Sequence, residues 1–152
     1  MIFVFSGIYP GAQENQKIDQ SVFPDVVIVE PNPPKPIKGW KMVEEEKSMS
    51  VLVGEYPSKI IKFQFRGDAV GIETIAIPDA GIIEFSIDAS DWERLDLYAS
   101  IDTENQLPLF FTLGNNLKDR KHTLQIRLTE DKNLASTGTK CMIRHFYYNA
   151  PR

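Results

Sequence analysis

Period-two alternation of large apolar side chains constrains this chain more than any other feature. In KIIKFQFRG, Ile61, Phe63 and Phe65 alternate with Lys62, Gln64 and Arg66. Successive side chains of a strand point to opposite faces, so the apolar groups fall on one side and the polar ones on the other. GIIEFSID repeats the device, with Ile83, Phe85 and Ile87 inward and Glu84, Ser86 and Asp88 outward, entered through the turn signal PDAG. RLDLYAS sets Leu95, Leu97 and Ala99 against Arg94, Asp96 and Tyr98, and HTLQIRL sets Leu124, Ile126 and Leu128 against Thr123, Gln125 and Arg127. DVVIVE is a β-branched run suited to a pleated surface, IFVF near the start could be a strand, and the closing CMIRHFYYN is aromatic and strand-like.

No window carries an apolar stripe at helical spacing; the best candidate, MVEEEKSM, is short and strongly charged. Short strands about ten residues apart, separated by Gly, Pro, Asn and Asp clusters, predict an all-β fold, a two-sheet antiparallel β-sandwich of jelly-roll type. At 152 residues the chain is long enough for one core that buries roughly two thirds of the unfolded chain's surface. We therefore expect a single domain over residues 1–152. Residues 1–58 supply N-terminal strands and a proline-rich strap at 31–40, and 59–149 form the main body. In PNPPKPIKGW the prolines rule out a helix and a central strand, so the segment is an extended connector, with Trp40 as the side chain that pins it to the core.

Hydrophobic residues make up 42% of the chain and charged residues 25%, which is ordinary for a folded domain. A net charge of -4 with no Lys/Arg cluster argues against a nucleic-acid partner. The single cysteine, Cys141, excludes an internal disulfide framework and reads as a buried small hydrophobe. The opening MIFVFSGIYPGA is apolar for only five residues and has no basic stretch, short of a signal peptide and of a membrane span. Any export signal is expected to have been removed or to lie upstream, and no membrane partner is expected.

Three patterns invite chemistry. In DRKH, Asp119 and His122 have the D-x-x-H spacing by which some hydrolases set a base against its orienting carboxylate, yet no G-D-S-like nucleophile block accompanies them. His122 also shares a strand face with Leu124 and Ile126, which points to a side chain that closes the core or bonds a neighbouring loop. In IDASDWE, Asp88, Asp91 and Glu93 gather in the turn after a strand. Oxygen ligands on such a loop can hold a structural calcium, but an acidic solvated turn is commoner, so no cofactor is expected. With two histidines and one cysteine no zinc spacing exists. Trp92 in that charged turn and Tyr98 on the polar face of its strand are candidate sugar-stacking rings, with Asp88 and Asp91 as partners for sugar hydroxyls.

Taken together, FQFRGDAVGIETIAIPDAGIIEFSID, LDLYAS, LKDRKHTLQIRL and IRHFYYNAP resemble the β-sandwich accessory domain of bacterial SGNH/GDSL-type hydrolases and related carbohydrate esterases. The likeness rests on Phe65, Gly67, Val70 and Gly71, on Ala80 to Asp88, on Lys121 to Leu124 and on Phe146 to Asn149, and covers about residues 59 to 149. Where that family often reads Asp-Gly, Ala89 follows Asp88 here, which suggests a longer or differently shaped turn. The resemblance implies that the histidine of DRKH belongs to a strand motif and that no residue of this chain is catalytic. It implies a module that binds a polysaccharide weakly or packs on an SGNH-type catalytic domain, in a periplasmic or secreted setting. A sandwich that mediates assembly without a small ligand and a stand-alone hydrolase using Asp119 and His122 are the rival readings. Gly67 and Gly71 are expected where the backbone bends or passes close to a neighbour.

Overall fold

A computed structural model describes residues 16–45, 49–100 and 106–151; the IFVF run lies outside them. Every regular element among the described residues is a strand: β1 Val26–Val29, β2 Trp40–Glu45, β3 Met49–Gly54, β4 Ile61–Gly67, β5 Val70–Ile75, β6 Ile82–Ile87, β7 Glu93–Asp96, β8 Pro108–Gly114, β9 Arg120–Leu128 and β10 Cys141–Asn149. They form two antiparallel sheets. One has six strands in the order β2-β3-β10-β5-β8, with β1 also pairing β10, and the other has four in the order β4-β9-β6-β7.

From β3 to β10 the chain changes sheet at every connection except β6–β7, which stay together. Eight strands laid alternately in two sheets in this way make a jelly roll. The expected fold class is the observed one. MVEEEKSM is split between the end of β2 and the start of β3, in keeping with the absence of a helical stripe.

The inward side chains of both sheets meet in one core. Phe63 of the four-stranded sheet lies flat on Phe146 of the six-stranded sheet, with ring centroids 4.4 Å apart and planes 5° from parallel. Offset contact of this kind stabilises by about 1 kcal/mol beyond the area it buries. Ile61, Phe65, Ile83, Phe85, Leu124, Ile126 and Leu128 are buried as their alternation requires, and so is Cys141. A second apolar cluster covers the outer side of the six-stranded sheet, where Phe23 meets the Tyr147 ring edge-on at 4.9 Å.

The strap behaves as proline dictates. Residues 30–39 cross without entering a sheet, and Ile37 packs on the core. Trp40 is buried, donates its indole N–H to the Lys59 carbonyl at 2.9 Å, and lies against Gly54, its partner in the β2–β3 ladder. A Cβ built on Gly54 would stand 2.5 Å from Trp40 Cε3. Gly67 and Gly71 are also close-approach positions: a Cβ would meet the Asn149 carbonyl in the first case and the Tyr147 ring in the second.

Candidate functional site

His122 is 3% exposed and projects from β9 beside Phe65, with ring centroids 5.3 Å apart. Both of its nitrogens are engaged: Nδ1 lies 2.5 Å from Asp88 Oδ2 and Nε2 lies 2.6 Å from the Lys118 carbonyl. The Lys118 carbonyl can only accept, so Nε2–H donates to it, and Nδ1 is left to share a hydrogen bond with the Asp88 carboxyl. Asp88 Oδ1 accepts the Thr123 amide at 2.8 Å, and the Asp88 amide donates to the Thr123 carbonyl at 2.9 Å. Burial works against ionisation of Asp88, but the His122 hydrogen bond and the Thr123 amide outweigh it and hold its carboxyl below the usual carboxylate value.

This geometry corrects the D-x-x-H reading. The carboxylate that orients His122 is Asp88, 34 residues away in sequence, and Asp119 is exposed. A buried imidazole with both nitrogens engaged has no free position from which to take a proton from a nucleophile. Its work is to clamp the turn after β6 onto β9.

That turn has an unusual backbone. Asp88 and Ala89 have φ of 55° and 60°, and the Ser90 amide closes on the Ile87 carbonyl at 3.1 Å. Positive φ at both central residues marks a type I′ turn, in which Asp-Gly is a favoured pair. Ala89 therefore adopts the conformation that glycine would take, inside a connection that runs from Ser86 to Trp92 between the paired residues Phe85 and Glu93.

Trp92 is half-buried at the end of this connection, with the Arg127 guanidinium 3.9 Å above its ring. Arg127 also donates to Glu84 at 3.0 Å, and Arg94 reaches Glu84 at 3.5 Å and Asp131 at 2.7 Å. One face of the Trp92 ring is thus already occupied by a cation. Asp91 is exposed. Among the described residues no group of three or more His, Cys, Asp or Glu side chains is placed to hold a metal ion; the Asp88 carboxylate is engaged by His122 and the Thr123 amide.

Tyr98 lies elsewhere. Six residues separate it from Trp92, which puts the two roughly 20 Å apart along an extended chain. Leu97 and Ala99 are buried on either side of it, as the alternation expects, and Tyr98 itself is half-buried and packs against the core, its amide donating to Asp96 Oδ1 at 2.9 Å.

Here the edge strands of both sheets, β7 and β8, flank a groove of about 840 Å³. Tyr98, Phe110 and Tyr147 bring aromatic rings to it, and Asp96, Asn133 and Lys17 bring polar groups. Asn133 Nδ2 donates to Asp96 Oδ2 at 2.8 Å, which fixes both side chains. Tyr147 is itself buried beneath Phe23 and Phe110, and burial raises the pKa of its hydroxyl, only partly offset by its hydrogen bond with Thr112. Rings beside fixed polar groups in a concave site are what a sugar needs: apolar C–H faces stack and hydroxyls find partners. The sequence pattern brought Tyr98 forward and missed Phe110, Tyr147, Asn133 and Asp96. Phe110 and Tyr147 sit in dense apolar or aromatic runs where no single ring stands out.

No family model matches the chain, and no curated protein matches it. Solved structures do match in fold. A two-domain esterase active on acetylated mannans superimposes with a TM-score of 0.61 at 10% identity, covering 90% of this chain and 39% of that one. A family two carbohydrate esterase from Cellvibrio japonicus gives 0.57 at 13% identity, over 84% of this chain and 36% of that one. The CBM36-1 domain of a multidomain xylanase from the hindgut metagenome of Trinervitermes trinervoides gives 0.51 at 10% identity, over 84% of this chain and 98% of that domain. The chain thus spans under two fifths of the two esterases it matches and nearly the whole of the CBM36-1 domain. At these identities the likeness is one of fold. Among the described residues no helix is long and apolar enough to cross a membrane.

Proposed function

We propose that this chain is a non-catalytic β-sandwich module of a carbohydrate-active system, working outside the cytoplasm beside an SGNH/GDSL-type esterase domain and holding glycan in the groove at Tyr98. The observation that carries the reading is the groove itself. The partly exposed rings of Tyr98 and Phe110 stand there beside the Asp96–Asn133 pair, at the side of the sandwich where the edge strands β7 and β8 flank the groove. The fold neighbours support the general class: they are carbohydrate esterases, one co-crystallised with mannopentaose, and a xylanase module. The sequence resemblance supports the narrower link to an SGNH-type partner. In this reading Tyr98 supplies the stacking ring, while Trp92, Asp88 and Asp91 form a separate surface around the β6–β7 connection. Affinity electrophoresis through gels containing acetylated mannan, xylan or galactan tests it. Retardation on at least one glycan, lost in Tyr98→Ala, is the expected result; equal mobility on every glycan overturns the glycan-holding role.

A further inference from the structure

The outward face of β4 and β9 carries an arrangement that the fold does not need. The ladder sets Lys62 opposite Gln125, Gln64 opposite Thr123 and Arg66 opposite Lys121. These residues alternate with Phe63, Phe65, His122 and Leu124, which face the core, so all six point to solvent. Arg66 and Lys121 are thus two cations placed directly across from one another, an arrangement that costs stability in a sheet. Among the described residues neither has a carboxylate partner, and nor does Lys62. The acids of β6 and the turn after it are committed elsewhere, Glu84 to Arg127 and Arg94, and Asp88 to His122 and Arg120. Asp68, held by Asn149 Nδ2 at 2.9 Å, and Asp119 flank the Arg66–Lys121 end of the strip without an ion pair to either cation.

We propose that this strip is a binding surface for an anionic polysaccharide, a polymer of uronic acid residues laid along β4 and β9. Arg66 presents a planar fork that suits a carboxylate, and Lys121 beside it adds a second charge to the same anion. Lys62 stands four residues from Arg66, roughly 13 Å along the strand, too far for one small anion to bridge but within reach of an extended chain. Between the cations, Gln64, Thr123 and Gln125 offer amides and a hydroxyl to sugar hydroxyls. No aromatic ring lies on the strip, so it lacks the stacking platforms that single-stranded nucleic acid uses. The strip lies on β4 and β9, apart from the groove flanked by β7 and β8, and does not depend on it.

The test is isothermal titration calorimetry of the full chain with polygalacturonate, with neutral galactomannan and polyuridylate alongside. Polygalacturonate is expected to bind at about 50 mM salt and to be released by about 500 mM. The double variant Arg66→Gln, Lys121→Gln should weaken it at least tenfold, whereas Tyr98→Ala should leave it unchanged. The variant's thermal midpoint should hold or rise, because an opposed pair of like charges is gone, so lost binding would not be lost folding. Absence of binding at low salt, binding indifferent to the double variant, loss of binding in Tyr98→Ala, or tighter binding of polyuridylate or galactomannan would each overturn the proposal.

Discussion

Asp88 Oδ2 stands 2.5 Å from His122 Nδ1, and the pair joins the end of β6 to the start of β9 with a buried ring. Truncation of His122 to Ala removes the donors to Asp88 and to the Lys118 carbonyl and leaves a void beside Phe65. We expect His122→Ala to cost about 3 kcal/mol, read as a lower denaturant midpoint, while glycan retention by the folded protein is unchanged. A loss below about 1 kcal/mol would mean that water replaces both donors at little cost.

The same pair sets an acid limit. Asp88 is held below its ordinary carboxylate value in the fold, so the unfolded chain binds that proton more tightly than the folded one. The stabilisation is complete above the unfolded value near 3.9 and is lost as pH falls through the lower folded value. Asp88→Asn should therefore be less stable than the parent by a constant margin above about pH 5, a margin that narrows below about pH 4. Urea midpoints taken from pH 7 down to pH 2 measure it, and a margin that stays constant throughout would refute the linkage.

Ala89 carries strain that its glycine replacement would relieve. At φ 60° an alanine pays roughly 1–2 kcal/mol for the left-handed conformation, against about 0.4–1 kcal/mol lost when glycine loosens the unfolded chain. Ala89→Gly should thus stabilise by about 0.5 to 1 kcal/mol, a rise of about 2–3 °C in thermal midpoint. A drop in midpoint would show that Ala89 makes a contact worth more than the strain.

Gly54 offers the opposite case. A methyl group there meets the Trp40 ring, whose indole N–H is already fixed to the Lys59 carbonyl. Gly54→Ala should cost about 1–3 kcal/mol by overpacking and shift the intrinsic fluorescence of Trp40, because the ring must move. Unchanged emission with unchanged stability would mean that the strap is not held by this contact.

The strands of the four-stranded sheet were legible because that sheet faces solvent on one side, so β4 and β9 alternate cleanly; β6 alternates only as far as Phe85, after which Ser86, expected outward, is buried with its hydroxyl on the Ser90 carbonyl. In the six-stranded sheet β5 is buried at every position and β3 through its last four. Phe23 and its neighbours cover part of the outer face, so the period of two is erased. At His122 the strand face foretold a buried ring bonded to a neighbouring loop, but spacing could not say which loop: the partner is Asp88 in the turn after β6, not Asp119 three residues off. At Tyr98 the alternation holds, with Leu97 and Ala99 buried on either side; what it could not show is the groove that Phe110 and Asn133 complete from other parts of the chain. The left-handed backbone of Asp88 and Ala89 was also hidden, because alanine does not announce a positive φ as glycine does.

The groove and the β6–β7 connection make opposite demands on their aromatic residues, and this separates them by experiment. Tyr98 is half-buried beside Phe110, with Asp96 and Asn133 bound to one another across the same groove. Trp92 already bears the Arg127 guanidinium on one face. If the groove holds sugar, Tyr98→Ala should weaken retention roughly tenfold, Tyr98→Phe should keep most of it because the ring does the stacking, and Trp92→Ala should leave it within about twofold. Retention lost in Trp92→Ala and kept in Tyr98→Ala would move the site to the β6–β7 connection, where Asp91 and the free face of the indole would then be the contacts.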